Sequence, residues 1–318
     1  MLASIPSPSR NVIELGPFDL RAYGLMIALG VLAAAWLSQK RWEAKGGRAD
    51  DVATVAMWAV PAGLIGARVY HVFTDWRFDE GWAEPFRIWE GGLGIPGGVA
   101  AGVFAALWIM TRNGWDRARM FDAMVPTVAL AQAIGRWGNW FNQELFGGPS
   151  DLPWAVEIDA ENAAEVGYTG AGTFHPTFLY ESLWNLGLVV FLIWADRTQK
   201  LRRGAILPLY IVGYLVIRLW LETVRVDPAT EIGGVRINIW MSVIGIALAG
   251  SWLILRGKRP DDVPSPEDDG IGGRDSHDGF SDDSLDGGGS AAGGASAGGG
   301  GGGGVEEIEM ALPEDGSS

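Results

Sequence analysis

Cysteine is absent from the 318 residues, and histidine occurs only as His71, His175 and His277. The first absence excludes a disulfide framework, a thiolate nucleophile and any cysteine-based metal site. Three scattered histidines argue against a histidine-rich metal centre as well, so no metal and no cofactor are expected. Basic residues are missing from residues 142–175, which carry Glu144, Asp151, Glu157, Asp159, Glu161 and Glu165. The net charge of −14 has one source. The 58 residues from 261 onward hold 15 Asp and Glu against Arg274 alone, which leaves the body before them neutral. With no basic excess there, a nucleic-acid partner is not expected.

Hydrophobic residues make up 48% of the chain, with 16 Trp and a mean hydropathy of +0.14 despite the acidic, Gly-rich end. Seven apolar segments lie near 19–38, 52–73, 93–111, 120–141, 176–195, 204–223 and 237–255. Each is long enough to cross a hydrocarbon core of about 30 Å at about 1.5 Å per residue. The first has its basic cluster after the apolar run, the wrong flank for a cleaved leader. The connections after the first, third and fifth segments, with the stretch after the seventh, hold 14 of the 24 Lys and Arg, from Lys40 to Arg259. By the positive-inside rule those connections face the cytoplasm. The N-terminus then lies outside, the C-terminus inside. The fold class expected is an all-α polytopic membrane protein of seven transmembrane helices. Residues 1–259 form the membrane body, with a small extracytoplasmic loop domain at about 142–175. Residues 260–318 are too poor in apolar groups to offset the entropy of ordering, and a disordered cytoplasmic tail is expected.

Polar residues interrupt this pattern at one depth. "GRWGNWFNQELFGG" (135–148) puts Arg136, Asn139, Asn142 and Glu144 at the end of an apolar run. Counted from Met120, Arg136 lies about 24 Å along its segment and Arg218 about 20 Å along the sixth, both toward the outer leaflet. Tyr23 opens the first segment from the same side, and Arg68 sits at a similar level. Tyr214, Arg218 and Glu222 are spaced i, i+4, i+8 and share a helix face. Gly135 and Gly138 are expected to admit a neighbouring backbone. Arg68 alone fits a side chain reaching to headgroups, and the Gly-rich stretch 90–103 fits close helix packing. The matched depth of Arg136 and Arg218 on two segments points instead to a site, because ionisable groups inside a membrane are costly. Two guanidiniums suit a phosphate, whose oxygens they meet as planar forks. An anionic phospholipid headgroup is the expected ligand, to be bound, transported or reacted.

At these residues the sequence resembles the prolipoprotein diacylglyceryl transferases of bacteria, whose signature G-R-x-G-N-[FWY]-x-N-x-E-x-[FWY]-G is matched from Gly135 to Gly147. "RAYGLM" (21–26), "IWEGGLGIPGG" (88–98), "HPTFLYE" (175–181) and "YLVIRLWLETVR" (214–225) are similar to further family blocks in the same order. The resemblance covers roughly 20–255. It implies transfer of the diacylglyceryl group of phosphatidylglycerol to the lipobox cysteine of a prolipoprotein signal peptide, with glycerol phosphate leaving, in the bacterial cell membrane. Carried over by position, Arg136 and Arg218 would bind phosphate, with Tyr23, Glu144 and Glu222 as further catalytic candidates. Asn139, Asn142, Gly147, Tyr214, Gly97 and Gly98 would contact substrate. One departure stands out: the family's usual block G-G-x-x-x-H-G-G carries a histidine proposed as base, and Pro96 occupies its place here. An anionic-lipid transporter or flippase is the alternative reading, although no repeat between halves supports it. A lipid-binding scaffold is the third.

Overall fold

The computed structural model describes residues 4–15, 18–74, 94–198, 201–227 and 229–257. The tail beyond 260 and residues 88–93 of the Gly-rich block lie outside the described residues. Within them the chain forms α1 (Ala22–Glu43), α2 (Ala49–Thr74), α3 (Ile95–Arg112), α4 (Arg117–Asn142), α5 (Ala160–Glu165), α6 (Thr177–Thr198), α7 (Ile206–Leu221) and α8 (Ile237–Arg256). Three antiparallel strand pairs accompany them: β1 (Val12–Leu15) with β2 (Phe18–Arg21), β3 (Val156–Ile158) with β4 (Gly172–Phe174), and β5 (Glu231–Ile232) with β6 (Val235–Arg236).

Every apolar segment expected from the sequence coincides with a helix. The first begins later than expected, because Phe18–Arg21 pair with Val12–Leu15 in register Leu15↔Phe18 and Val12↔Arg21. Among the described residues, α1, α2, α3, α6 and α8 are long and apolar enough to cross a membrane. The 26-residue α4 is diluted by Arg117, Arg119, Asp122, Gln132, Arg136 and Asn139, and α7 has 16 residues. Large apolar side chains point outward from these helices, Phe104 at 72% exposure and Leu248 at 69% among them. Lipid is the solvent that makes such a surface favourable.

The helices alternate in direction. α1 runs against α4, with Tyr23 beside Gly138 at one end and Arg41 Nε donating to the Ala123 carbonyl at 2.8 Å at the other. α2 and α3 approach through Gly63, Gly66, Gly97, Gly98 and Gly102, where missing side chains let backbones meet. α6 runs back along α4, Ser182 Oγ donating to the Ala133 carbonyl at 2.9 Å. α7 returns beside both. The caps on α7 come from another helix: Asp122 of α4 accepts from the Gly204 amide at 2.7 Å and the Ile206 amide at 3.1 Å. Its own cap residue, Ala205, has no side chain to offer. Near that end Asp196 holds both Arg41 (2.7 Å) and Lys45 (2.8 Å).

At the opposite end residues 143–176 fold into a small unit over the bundle. Its core is Phe146, Val156, Ile158, Ala163 and Phe174, packed on Phe178 of α6. The Ile5 amide donates to the Ala155 carbonyl and the Ile5 carbonyl accepts from Glu157, so the N-terminal segment adds to the β3 edge. Gln143 and Leu145 make the turn out of α4 in the left-handed region, with φ of 52° and 58°. The Gln143 amide secures it, donating to Asp159 Oδ2 at 2.6 Å and accepting from the Asp159 amide at 2.7 Å.

Candidate active site

The end of α4 is a closed polar network. Arg136 Nη2 pairs with Glu181 Oε2 of α6 at 2.7 Å, and its Nη1 donates to Asn139 Oδ1 at 3.4 Å. The left-handed turn brings Glu144 back over the helix end, where Oε1 accepts from Asn139 at 2.6 Å and from Asn142 at 3.4 Å. Asn142 in turn accepts from Asn11 Nδ2 at 3.3 Å. The spacing Arg136, Asn139, Asn142, Glu144 is thus one relay of hydrogen bonds. The Glu181 side chain is 3% exposed, and a carboxylate that enclosed is tolerated because a guanidinium meets it.

A second pair stands at the end of α7. Arg218 Nη2 meets Glu222 Oε1 at 2.7 Å, one helical turn on. The same carboxylate accepts from Asn238 Nδ2 of α8 at 3.1 Å, and its other oxygen takes Arg236 Nη1 at 3.1 Å. Glu222 is therefore a hub joining α7, β6 and α8. Arg236 also donates to the carbonyls of Arg225 (3.3 Å) and Asp227, while Arg225 Nε holds Asp227 Oδ1 at 2.6 Å. Tyr210 of α7 bonds to Gln132 of α4 and Leu188 of α6 packs on Gly213 of α7, so these three helices bring both pairs to one end of the bundle.

Gly147 joins the remaining walls. Its amide donates to the His175 carbonyl at 2.9 Å, the His175 amide to the Gly148 carbonyl at 3.0 Å, and the Gly148 amide to the Val224 carbonyl at 2.9 Å. A Cβ on Gly147 would stand 2.7 Å from both His175 Cβ and Val224 Cγ1, so only glycine lets these segments close. Tyr23 lays its ring on Gly138, two residues beyond Arg136. Tyr214 stacks on Tyr210 at 5.9 Å, and the Tyr210 hydroxyl donates to Gln132 Oε1 at 2.9 Å. His175 Nδ1 lies 3.1 Å from the Tyr180 hydroxyl, which accepts from Trp154 Nε1 at 3.2 Å.

The structure gathers Arg136, Asn139, Asn142, Glu144, Arg218, Glu222, Tyr23 and Gly147 at this end of the bundle. Two further expected contributors are engaged in helix packing. Gly97 and Gly98 form the α2–α3 contact, where a Cβ on Gly97 would come within 2.3 Å of the Gly66 carbonyl oxygen and one on Gly98 within 3.3 Å of that of Gly63. Gly138 makes room for the Tyr23 ring rather than a backbone, and a Cβ on Gly135 would meet no neighbouring segment within 4 Å. Sequence reasoning missed Glu181, Arg236 and Asn238. Glu181 carried a usable signal, a carboxylate one turn inside an apolar segment; Arg236 and Asn238 carried none, since one ends a two-residue strand and the other lies in the first turn of the last helix.

The model of the family described as prolipoprotein diacylglyceryl transferase matches residues 10–255. The chain belongs to this family. Among curated relatives, the phosphatidylglycerol–prolipoprotein diacylglyceryl transferase of Streptomyces griseus is 50% identical over 275 residues, 84% of this chain and 83% of the relative. The transferase numbered 1 in Streptomyces coelicolor is 52% identical over 265 residues, 81% of this chain and 76% of that one. A Mycobacteroides abscessus relative of the same name is 42% identical over 291 residues, 85% of each chain. With the apolar helices, membership makes the chain a multi-pass membrane protein.

Proposed function

We infer that the chain transfers the diacylglyceryl group of phosphatidylglycerol to the lipobox cysteine of prolipoproteins. The observation that carries the reading is the pair of enclosed arginine–glutamate contacts, Arg136–Glu181 between α4 and α6 and Arg218–Glu222 at the end of α7, at one end of the bundle. Each carboxylate fixes its guanidinium from one side. The arginines keep 20% and 16% of their side chains exposed, enough to offer donors to a phosphate.

The chemistry follows from those donors. The cysteine sulfur attacks the glyceryl carbon bonded to the phosphate oxygen. A C–S bond forms as that C–O bond breaks, the electron pair leaves on glycerol phosphate, and the thiol proton has already gone to water. Charge grows on the departing phosphate, so pre-fixed guanidiniums stabilise the transition state more than the ground state. The same positive field lowers the pKa of an approaching thiol from its usual value of about 8.5. Pro96 has no proton to exchange, and this field takes over the work of a base there.

All seven long helices are taken to cross the membrane, α4 and α7 shielded by their neighbours, with the 143–176 unit outside and the basic connections in the cytoplasm. Residues 1–259 are the catalytic body and 260–318 a separate cytoplasmic tail. Phosphatidylglycerol and the signal peptide enter sideways from the bilayer. Reconstitution with phosphatidylglycerol and a lipobox peptide tests the reading: the peptide should gain the mass of one diacylglyceryl group, and lipid movement without that gain would favour a flippase.

A further inference from the structure

Asn185 is buried at 0% exposure, and both polar atoms of its side chain lack a hydrogen-bond partner. The buried oxygens of Glu181 and Glu222 that also lack a hydrogen bond are met by guanidiniums at 2.7 and 3.1 Å. Ser7 Oγ and Trp140 Nε1 are also unmet but belong to half-buried residues, whereas Asn185 is fully buried with a donor and an acceptor both unmet, and such a group in an apolar interior is costly. It lies on the buried stripe of α6 that also carries Glu181, Ser182, Leu188 and Val189. Ser182 bonds to the Ala133 carbonyl of α4. Leu188 packs on Gly213 of α7, and the Gly213 carbonyl accepts from Trp184 at 2.9 Å. Asn185 therefore faces the seam between α4 and α7.

Its depth is informative. Asn185 is four residues beyond Glu181, about 6 Å deeper into the bundle at about 1.5 Å per residue. On antiparallel α4, Gln132 precedes Arg136 by the same step, and its oxygen is already taken by Tyr210. A polar layer of Asn185, Gln132 and Tyr214 so lies one helical turn below the arginines, with Tyr210 reaching Gln132 from a turn deeper on α7. In a bilayer the whole polar zone on each side of the hydrocarbon core is about 5–7 Å thick, and within it a phospholipid's ester carbonyls lie inward of its phosphate. A phospholipid whose phosphate meets Arg136 has its ester carbonyls at that deeper level.

We propose that the Asn185 side-chain amide donates to an ester carbonyl of the bound phospholipid, holding the diacylglyceryl group during transfer and selecting ester-linked over ether-linked lipids. Ester carbonyls accept and never donate, which complements a free N–H. A signal-peptide helix is the poorer occupant, because its main-chain groups are bonded to one another within the bilayer. As Asn185 is enclosed, the lipid reaches it when the Leu188 and Trp184 contacts on Gly213 part. This assignment rests on the phosphate-site reading above.

The test uses the full-length protein in proteoliposomes, a lipobox peptide, and either diester phosphatidylglycerol or its dialkyl-ether counterpart, which keeps the headgroup and lacks the carbonyls. The wild type should transfer the diester group about tenfold faster, the scale of one buried hydrogen bond. Asn185→Leu should bring that ratio to about one, and Asn185→Gln, which keeps a donor, should restore part of it. A ratio near one in the wild type, or Asn185→Leu slowing both lipids equally, would overturn the proposal. Should Asn185→Leu fail to fold, the wild-type ratio with the Asn185→Gln ratio decides. Failure of the wild type to transfer either lipid would instead count against the phosphate-site reading.

Discussion

Arg136 shows how much one side chain is asked to do. It closes a buried pair with Glu181 and supports Asn139, and in the proposed reaction its remaining donors meet a phosphate. Lysine keeps the charge and loses the fork, so Arg136→Lys should lower kcat at least ~100-fold, the scale of losing a fixed charge-stabilising donor. Thermal melting in detergent should shift little by comparison. His175 is the contrasting case: its ring is engaged with Tyr180 and its backbone with Gly147 and Gly148. His175→Ala should keep substantial transfer at alkaline pH. The sign follows from the thiol: a lowered pKa makes the rate climb with pH up to that pKa and then flatten, with or without the imidazole. Loss of transfer at every pH in folded His175→Ala would mean that the base has moved to that residue. The local part of the site was legible, because helical spacing alone brings Arg136 to Asn139 and Arg218 to Glu222. Glu181, 45 residues from Arg136, and Arg236, beyond a turn from Glu222, meet their partners only through the tertiary fold.

Among the elements, the α2–α3 pair separates packing from substrate contact. Its glycines resemble a family block, yet the geometry uses them to bring two backbones together. A methyl on Gly97 would overlap the Gly66 carbonyl and Tyr70 Cβ, each at 2.3 Å. Gly97→Ala should therefore lower the melting temperature and yield while leaving KM for phosphatidylglycerol close to wild type. A raised KM at unchanged stability would return Gly97 to the substrate site. The long apolar helices were readable from hydropathy; the strand pairs were not. β5 and β6 are two residues each, too short for any alternation to register, and β1–β2 took the start of what the sequence offered as one apolar run. The left-handed turn at Gln143 and Leu145 was equally silent, since neither residue favours it.

At the level of the whole molecule, alternating helix directions put the basic connections together at one end of the bundle, the end proposed to face the cytoplasm. A reporter inserted at Gly167, in the 143–176 unit, should be external, and one fused after Arg259 should be cytoplasmic. Finding both on one side would break the seven-span topology. That topology gives the site its chemistry, because α4 and α7 run the same way and bring Arg136 and Arg218 to the same end of the bundle. The central claim is that these two arginines hold a single phosphate. A double-mutant cycle in kcat/KM, with Arg136→Lys, Arg218→Lys and the combination assayed on phosphatidylglycerol vesicles and a lipobox peptide, tests it most directly. Each single change should cost ~100-fold and the pair no more than ~1,000-fold, because groups acting on one transition-state charge are not additive. A double variant that loses the full product of the two, or either single variant within about threefold of wild type, would contradict the shared phosphate site.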